Sequence, residues 1–255
     1  MIPKIIHYCW FGGKPLPKLA KKCIESWKKY CPDYEIKEWN ESNYNFSSCE
    51  YAREAYKAKK YAFVSDFARF DILYRYGGIY FDVDVELIKP IDPIVEKGAF
   101  MGVENCLADQ EGEKITVAPG LGIAADPGMD VYKELLDFYH ALHFVKDDGS
   151  LNLETVVTYT TKIFINHGLK SSAEIQKIKG ITIYPKDFFN PCDMASKKIF
   201  LTERTVSIHH YAGSWISPWE KLKDKCAQRL IRLFGYRFVA FIVKIKHFFT
   251  KGKVK

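Results

Sequence analysis

Ser65-Asp66-Phe67-Ala68-Arg69-Phe70-Asp71-Ile72-Leu73-Tyr74-Arg75-Tyr76-Gly77-Gly78-Ile79-Tyr80-Phe81-Asp82-Val83-Asp84 is the stretch on which the reading of this chain turns. From Tyr61 to Tyr76 there is no Pro or Gly, and apolar side chains return at Phe63, Phe67, Phe70, Leu73 and Tyr74, the spacing of one helix face. Gly77 supplies the stop. Ile79-Tyr80-Phe81 then reads as an apolar strand that runs into Asp82 and Asp84. Residues two apart on a strand share a face, so in extended backbone these carboxylates look into the same region. Carboxylates held that close repel unless a cation or donor groups lie between them, and oxygen ligands suit Mg²⁺ or Mn²⁺. Asp66 and Arg69, three apart, are neighbours on the helix surface. Alone the pair reads as a salt bridge on a solvated helix; ahead of an Asp-x-Asp strand it reads as part of a site.

The chain has 255 residues, 47% of them hydrophobic, enough to bury one full core. No linker or internal repeat divides it. Met1-Ile2-Pro3-Lys4 leads straight into an apolar strand, so no signal peptide is expected. Seven cysteines with no Cys-x-x-Cys pair suit reduced thiols in a cytosolic protein. The formal net charge of +7 is unevenly placed. Residues 221–255 hold eleven Lys or Arg and one Asp, leaving 27 basic and 30 acidic residues before them. The body is therefore slightly acidic, and a nucleic-acid partner is not expected.

Ile2 to Trp10 opens as an apolar strand, and Phe11-Gly12-Gly13-Lys14-Pro15-Leu16-Pro17 is a turn-rich loop after it. Loops at the carboxyl ends of strands form the ligand site of open α/β sheets. Trp10 is placed to stack on a nucleotide base, or else to fill the core. His7 lies within the strand, where a buried imidazole competes with a ligand contact. Leu19 to Tyr30 reads as an amphipathic helix, with Leu19, Cys23, Ile24 and Trp27 on one face, and Tyr34 to Trp39 as a strand. Glu104 to Lys114 is polar and expected at the surface. Pro119, Gly120 and Gly122 mark either a close approach to a ligand or plain turn chemistry. A helix is expected from about Asp130 to His143, another from Leu151-Asn152-Leu153-Glu154-Thr155, and strands at Ile181 to Pro185 and Thr205 to Trp215.

The pattern Ser-Asp-x-x-Arg, an apolar helix, then Gly-Gly-x-Tyr-x-Asp-x-Asp resembles the donor-binding core of the DXD-containing glycosyltransferases of family 32. Ile2-Pro3-Lys4-Ile5-Ile6-His7-Tyr8-Cys9-Trp10 is similar to that family's opening segment. His209-His210 followed by Ser214-Trp215 is similar to the His-x-x-x-x-Ser-Trp element that closes its active site. The resemblance implies an α/β chain of the GT-A type, a single Rossmann-like domain over residues 1–219 with a mixed, mostly parallel sheet. It implies Asp82, Asp84, Arg69 and Asp66 as the catalytic set. Trp10, His7, Tyr8, Ser65, Tyr80, Gly78, Ser214 and Trp215 are implied around the donor. Asp84 and Asp82 would meet Mn²⁺ or Mg²⁺, with His209, or alternatively His210, completing the metal shell. Pro119-Gly120 departs from the polar residue usual in relatives, and no Thr-Gly-Pro follows Gly149, so no donor-sugar or acceptor contact is carried over there.

The activity so implied is metal-dependent transfer of a sugar from a UDP- or GDP-linked donor to a glycan or lipid-linked acceptor. Retention of configuration and a role in surface-polysaccharide (capsule) synthesis go with it. A phosphatase of the haloacid dehalogenase class would need a Gly-Asp-x-x-x-Asp that the chain lacks. A non-catalytic sugar-binding or scaffold protein of polysaccharide assembly is the other alternative. Residues 220–255 alternate aromatic and basic clusters, the pattern of a basic amphipathic helix attracted to an anionic membrane surface. The expected location is cytoplasmic, peripheral on the inner face of the plasma membrane.

Overall fold

The helix expected from the spacing forms over Tyr61–Tyr76, and Gly77 ends it with φ 64° and ψ −160°, donating its N–H to Leu73 O at 2.8 Å. A Cβ at Gly77 would press on the Ala125 carbonyl and on the rings of Pro3 and Pro127, so the stop is steric as well as conformational. The computed structural model describes residues 1–109, 112–193, 198–213 and 229. By contact the chain separates into two units, Met1–Pro191 with Leu201–Tyr211, and Cys192–Phe200 with Ala212–Lys255. Within the second, Cys192 and Ile199 form an isolated antiparallel bridge. The elements below belong to the first.

Its strands are β1 Ile5–Cys9, β2 Glu35–Trp39, β3 Gly78–Tyr80, β4 Val85–Leu87, β5 Phe100–Asp109, β6 Gly112–Val117, β7 Ile123–Ala125, β8 Gln176–Ile178, β9 Ile181–Tyr184 and β10 Ser207–His209. Its α-helices are α1 Lys18–Tyr30, α2 Glu50–Lys57, α3 Tyr61–Tyr76, α4 Asp92–Val95, α5 Asp130–His140, α6 Val156–Asn166 and α7 Lys186–Phe189. The main sheet has the order β2-β1-β3-β7-β5-β9-β8, with β6 paired to β5. β1, β2 and β3 run parallel, β7 reverses between β3 and β5, and β5 and β9 resume the direction of β3. The sheet is therefore mixed with most strands running one way, an α/β architecture as expected. β4 and β10 form a separate antiparallel pair.

α3 departs from the one-faced helix that the spacing predicts. All eight residues from Asp66 to Leu73 are buried, Asp66, Arg69 and Asp71 included. A helix that is apolar most of the way round belongs in the interior; α3 lies between β1 and β3 on one side and α2 and α5 on the other. Burying Phe67, Phe70, Ile72 and Leu73 contributes roughly 1.5–3 kcal/mol each. On the opposite face of the sheet Trp27 of α1 packs against Tyr8 and Phe81. It also ties down the small sheet, its Nε1 donating to Val85 O at 2.7 Å while Ser26 Oγ accepts from Leu87 N at 2.9 Å.

The polar stretch that starts at Glu104 pairs into the β5–β6 ladder, Asn105 with Thr116 and Asp109 with Gly112. One expectation fails locally. Leu151 to Thr155 does not open a helix; α6 begins at Val156, with Thr155 as its N-cap accepting from Thr158 N. The expected boundary at 219/220, the amphipathic reading of 220–255, and Ser214 and Trp215 lie outside the described residues. Among the described residues, no helix is long and apolar enough to cross a membrane.

Candidate active site

After β3 the backbone does not stay extended. Val85 N donates to Asp82 O at 3.0 Å, so Asp82 to Val85 is a turn, and the shared-strand-face argument for the two carboxylates does not hold. They converge for a different reason. β10 pairs antiparallel with β4, His209 opposite Val85, and His210 N donates to Asp84 O at 3.0 Å. This register sets His209 Nε2 3.0 Å from Asp84 Oδ1. One ligand atom each from Asp82, Asp84 and His209 lie within 4.8 Å of one another.

Cis ligands on an octahedral ion with bonds near 2.1 Å are about 3 Å apart and trans ligands about 4.2 Å apart. The three groups therefore fit a divalent cation after small side-chain movement. Two carboxylates suit Mg²⁺ and Mn²⁺ alike, and the imidazole favours Mn²⁺. His209 is almost buried beside the ring of Tyr211, and its Nδ1 has no hydrogen-bond partner among the described residues. Burial disfavours its cation, yet the carboxylate of Asp84 outweighs burial and holds its pKa above the ordinary value. His210 does not join the cluster. It points to Glu86, Nε2 to Oε2 2.7 Å, and Glu86 also takes Lys22.

Behind Asp82 lies a buried charge chain. The Arg69 guanidinium sits 2.8 Å from Asp66 Oδ1 and 3.3 Å from Asp82 Oδ1, over the ring of Tyr80, whose hydroxyl donates to Asp82 Oδ1 at 3.1 Å. Arg69 is only 3% exposed, so the solvated salt-bridge reading of Asp66 and Arg69 is wrong. Cys9, unremarked in the sequence, lies buried beside Tyr80 and Arg69.

Other sequence candidates are placed elsewhere. His7 is fully buried in β1, its Nε2 at 3.0 Å from Gly77 O and its Nδ1 accepting from Trp39 Nε1 at 3.1 Å, so both ring nitrogens are used in the core. Burial pushes its pKa down to about 4. Tyr8 lies on the other face of β1, donating to Glu38 at 2.7 Å. Gly78 is a packing glycine, with φ 95° and the Ile5 carbonyl where a Cβ would be. Ser65 Oγ donates to Tyr61 O within α3. Trp10 is half-buried, its Nε1 donating to Lys14 O across the loop.

Residues 17–101 match the family model described as a glycosyltransferase sugar-binding region containing the DXD motif. This stretch is similar to a DXD-type sugar-binding region. It takes in Asp66, Arg69, Tyr80, Asp82 and Asp84, while His209 lies outside it and joins through the β4–β10 pairing. Among curated proteins the chain is 29% identical over 111 residues to inositol phosphoceramide mannosyltransferase 1 of Schizosaccharomyces pombe, covering 39% of this chain and 33% of that protein. It is 35% identical over 107 residues to inositol phosphoceramide mannosyltransferase 3 of the same organism, covering 39% and 29%. The chain thus spans about a third of the length of these relatives. Among solved structures, a glycosyltransferase involved in the glycosylation of the major capsid of PBCV-1 overlays 89% of this chain and 100% of its own at 12% identity and TM-score 0.44. The galactosyltransferase LgtC with donor and acceptor sugar analogues overlays 89% and 94% at 11% identity and TM-score 0.42. At such scores the overlays carry no argument.

Within the DXD region, Asp82 is pinned from behind by Gly120. Asp82 N donates to Gly120 O at 3.3 Å, and a Cβ at Gly120 would overlap Asp82 Oδ2. The glycine-rich Pro119-Gly120 turn thus makes room for a carboxylate. Gly120→Ala is expected to displace Asp82 and weaken Mn²⁺ binding by about 10- to 100-fold, the usual cost of a misplaced group, measured by calorimetric titration. Wild-type affinity in the variant would contradict this role.

Asp66 makes a second expectation. Burial pushes its pKa up to about 7 from 3.8, against the pull of Arg69 and with the help of Asp82. A carboxyl whose folded pKa lies above its unfolded one keeps a proton that the unfolded chain releases. Its contribution to stability is therefore present at low pH and lost as pH rises from about 4 to about 7. Relative to Asp66→Asn, the wild-type protein should lose stability over that window, measured by urea unfolding at a series of pH values. A difference that stays flat or grows with pH would contradict it.

Proposed function

We propose that this chain is a GT-A-type glycosyltransferase that moves a sugar from a UDP- or GDP-linked donor to a hydroxyl of a glycan or lipid-linked acceptor. The observation that carries the reading is the convergence of Asp82, Asp84 and His209 in front of the buried Asp66–Arg69–Tyr80 group.

Asp84 and His209, with Asp82, would hold Mn²⁺ or Mg²⁺. When bound, the ion supplies Lewis-acid stabilisation of the charge that gathers on the departing diphosphate. Arg69 and Asp66 form a rigid donor and acceptor pair suited to sugar hydroxyls, because both are almost buried and fixed by each other. Tyr80, through its hydroxyl, orients Asp82. The low accessibility of the group strengthens each of these contacts. Retention of configuration is what the family resemblance implies; given retention, and with no side chain among these offering itself as a nucleophile, we assign transfer on the donor's front face.

Mannose heads the list of donor sugars because the two curated relatives are mannosyltransferases. A role in surface-polysaccharide assembly, drawn from the small, tailed form of the chain, and a place on the inner face of the plasma membrane through residues 220–255, drawn from charge pattern, belong to this proposal. Sedimentation with anionic vesicles, with and without the tail, tests the membrane part; equal pelleting would refute it. The test of the activity is nucleotide release from a panel of UDP- and GDP-sugars with Mn²⁺, Mg²⁺ or EDTA. Metal-dependent release from one donor supports the reading, and no release together with no metal-dependent nucleotide binding overturns it.

A further inference from the structure

β3 and β5 both run antiparallel to the short β7 between them, and Tyr80, Ile123 and Met101 stand in one cross-strand row. The chain leaves β3 towards Asp82 in the same sense that β5 runs on towards Glu104, so both residues lie at the carboxyl edge of the sheet, the usual ligand edge of an α/β fold. β9 runs parallel to β5 and delivers Lys186 to the same edge, just after Tyr184.

At that edge β5 is irregular. Val103 pairs with Val117 and Asn105 with Thr116, so two steps on β5 oppose one on β6 and Glu104 is the extra residue. A bulge of this kind re-aims a side chain. The backbone is held there, because the fully buried Asn190 donates from Nδ2 to Glu104 O at 3.0 Å. The polar groups around it are only half satisfied. Among the described residues the half-buried Glu104 carboxylate has no hydrogen-bond or ion-pair partner, Lys186 Nζ donates to the neutral Asn105 Oδ1 at 3.1 Å, and the buried Asn190 Oδ1 has no partner. The cluster lies beside β10, which carries His209: Ser207 Oγ donates to Phe189 O at 3.5 Å, and the next residue, Asn190, is the one that holds Glu104. Buried polar groups left without partners cost stability unless something completes them.

We infer that Glu104, Asn105 and Lys186 form the acceptor subsite, taking a hydroxyl-rich ring whose hydroxyls donate to the Glu104 carboxylate and accept from Lys186. This rests on the transfer reading above and adds to it which face of the site the acceptor occupies. A carboxylate accepts only and an ammonium donates only, so adjacent hydroxyls, each both donor and acceptor, satisfy both at once. An aliphatic alcohol does not.

The experiment compares wild type, Glu104→Gln, Glu104→Asp and Lys186→Met in nucleotide release from the preferred donor with Mn²⁺, in buffer alone and with methyl α-mannoside, methyl β-galactoside or myo-inositol. One of these rings is expected to alter release by the wild-type protein. In Glu104→Gln the concentration of that ring needed for half its effect should rise by at least about tenfold more than release in buffer falls. Glu104→Asp should recover part of it, and Lys186→Met should shift the same quantity. An unchanged half-effect concentration in Glu104→Gln would overturn the inference. So would a parallel loss of Mn²⁺ binding, which would put Glu104 in the metal site. A wild-type protein that releases nucleotide but responds to none of the rings would also overturn it. Absence of metal-dependent release from every donor is a different result, and it removes the transfer reading itself.

Discussion

Asp84→Asn is expected to lower metal-dependent nucleotide release by at least about a hundredfold, the scale of losing several kcal/mol of charge stabilisation at a metal site. The substitution keeps the volume and one acceptor oxygen, so His209 can still donate to residue 84 and the β4–β10 pairing is untouched. What it removes is the charge. With Asp84 neutral, His209 loses the carboxylate that offsets its burial, and the cation loses one of its two anionic ligands. Release that is equally fast in the variant, with Mn²⁺ or with EDTA, would show that Asp84 has no part in the chemistry.

Arg69→Met should be the most destabilising substitution in the candidate site, by about 3–5 kcal/mol, the range for breaking a buried ion pair. Arg69 is buried between Asp66 and Asp82, and above the pH at which Asp66 ionises its loss leaves both carboxylates facing each other with no compensating cation, so the comparison belongs at about pH 8. Arg69→Lys should recover only a minority of the loss. A single ammonium does not reproduce a planar fork that spans Asp66, Asp82 and the Ser65 carbonyl, which Arg69 Nε reaches at 3.1 Å. Urea unfolding of both variants at one pH checks the order. Loss below about 1 kcal/mol in Arg69→Met would mean that the pair behaves as a surface bridge.

Much of the frame was legible in the residues. The absence of Gly and Pro from Tyr61 to Tyr76 marks α3 and Gly77 marks its end, and both stand in the structure. Asp82, Asp84 and His209 come within 4.8 Å of one another, whereas His210 turns to Glu86. The route was misread, because alternation along a strand says nothing about where the strand stops, and the Asp82–Val85 turn begins just after β3. Which histidine faces the carboxylates depends on strand register, and register is set by a partner more than a hundred residues away. His7 and Gly78 carried motif value and turned out to be packing residues, since a motif does not distinguish residues that touch a ligand from those that hold the strand. Gly120 could be read either way until its steric relation to Asp82 was visible. Glu104 was hidden for the same kind of reason. A bulge that leaves one residue unpaired in a ladder has no local mark in a polar stretch.

Asp82, Asp84 and His209 together should hold a divalent cation that binds with a nucleoside diphosphate. Titration of the protein with Mn²⁺, followed by the electron paramagnetic resonance signal of the free ion with and without UDP or GDP, tests it most directly. One bound Mn²⁺ per chain is expected, with tighter binding in the presence of one of the two nucleotides and loss of that binding in both Asp84→Asn and His209→Ala. A signal that stays free in the wild-type protein with either nucleotide, or binding that persists unchanged in both variants, would contradict it.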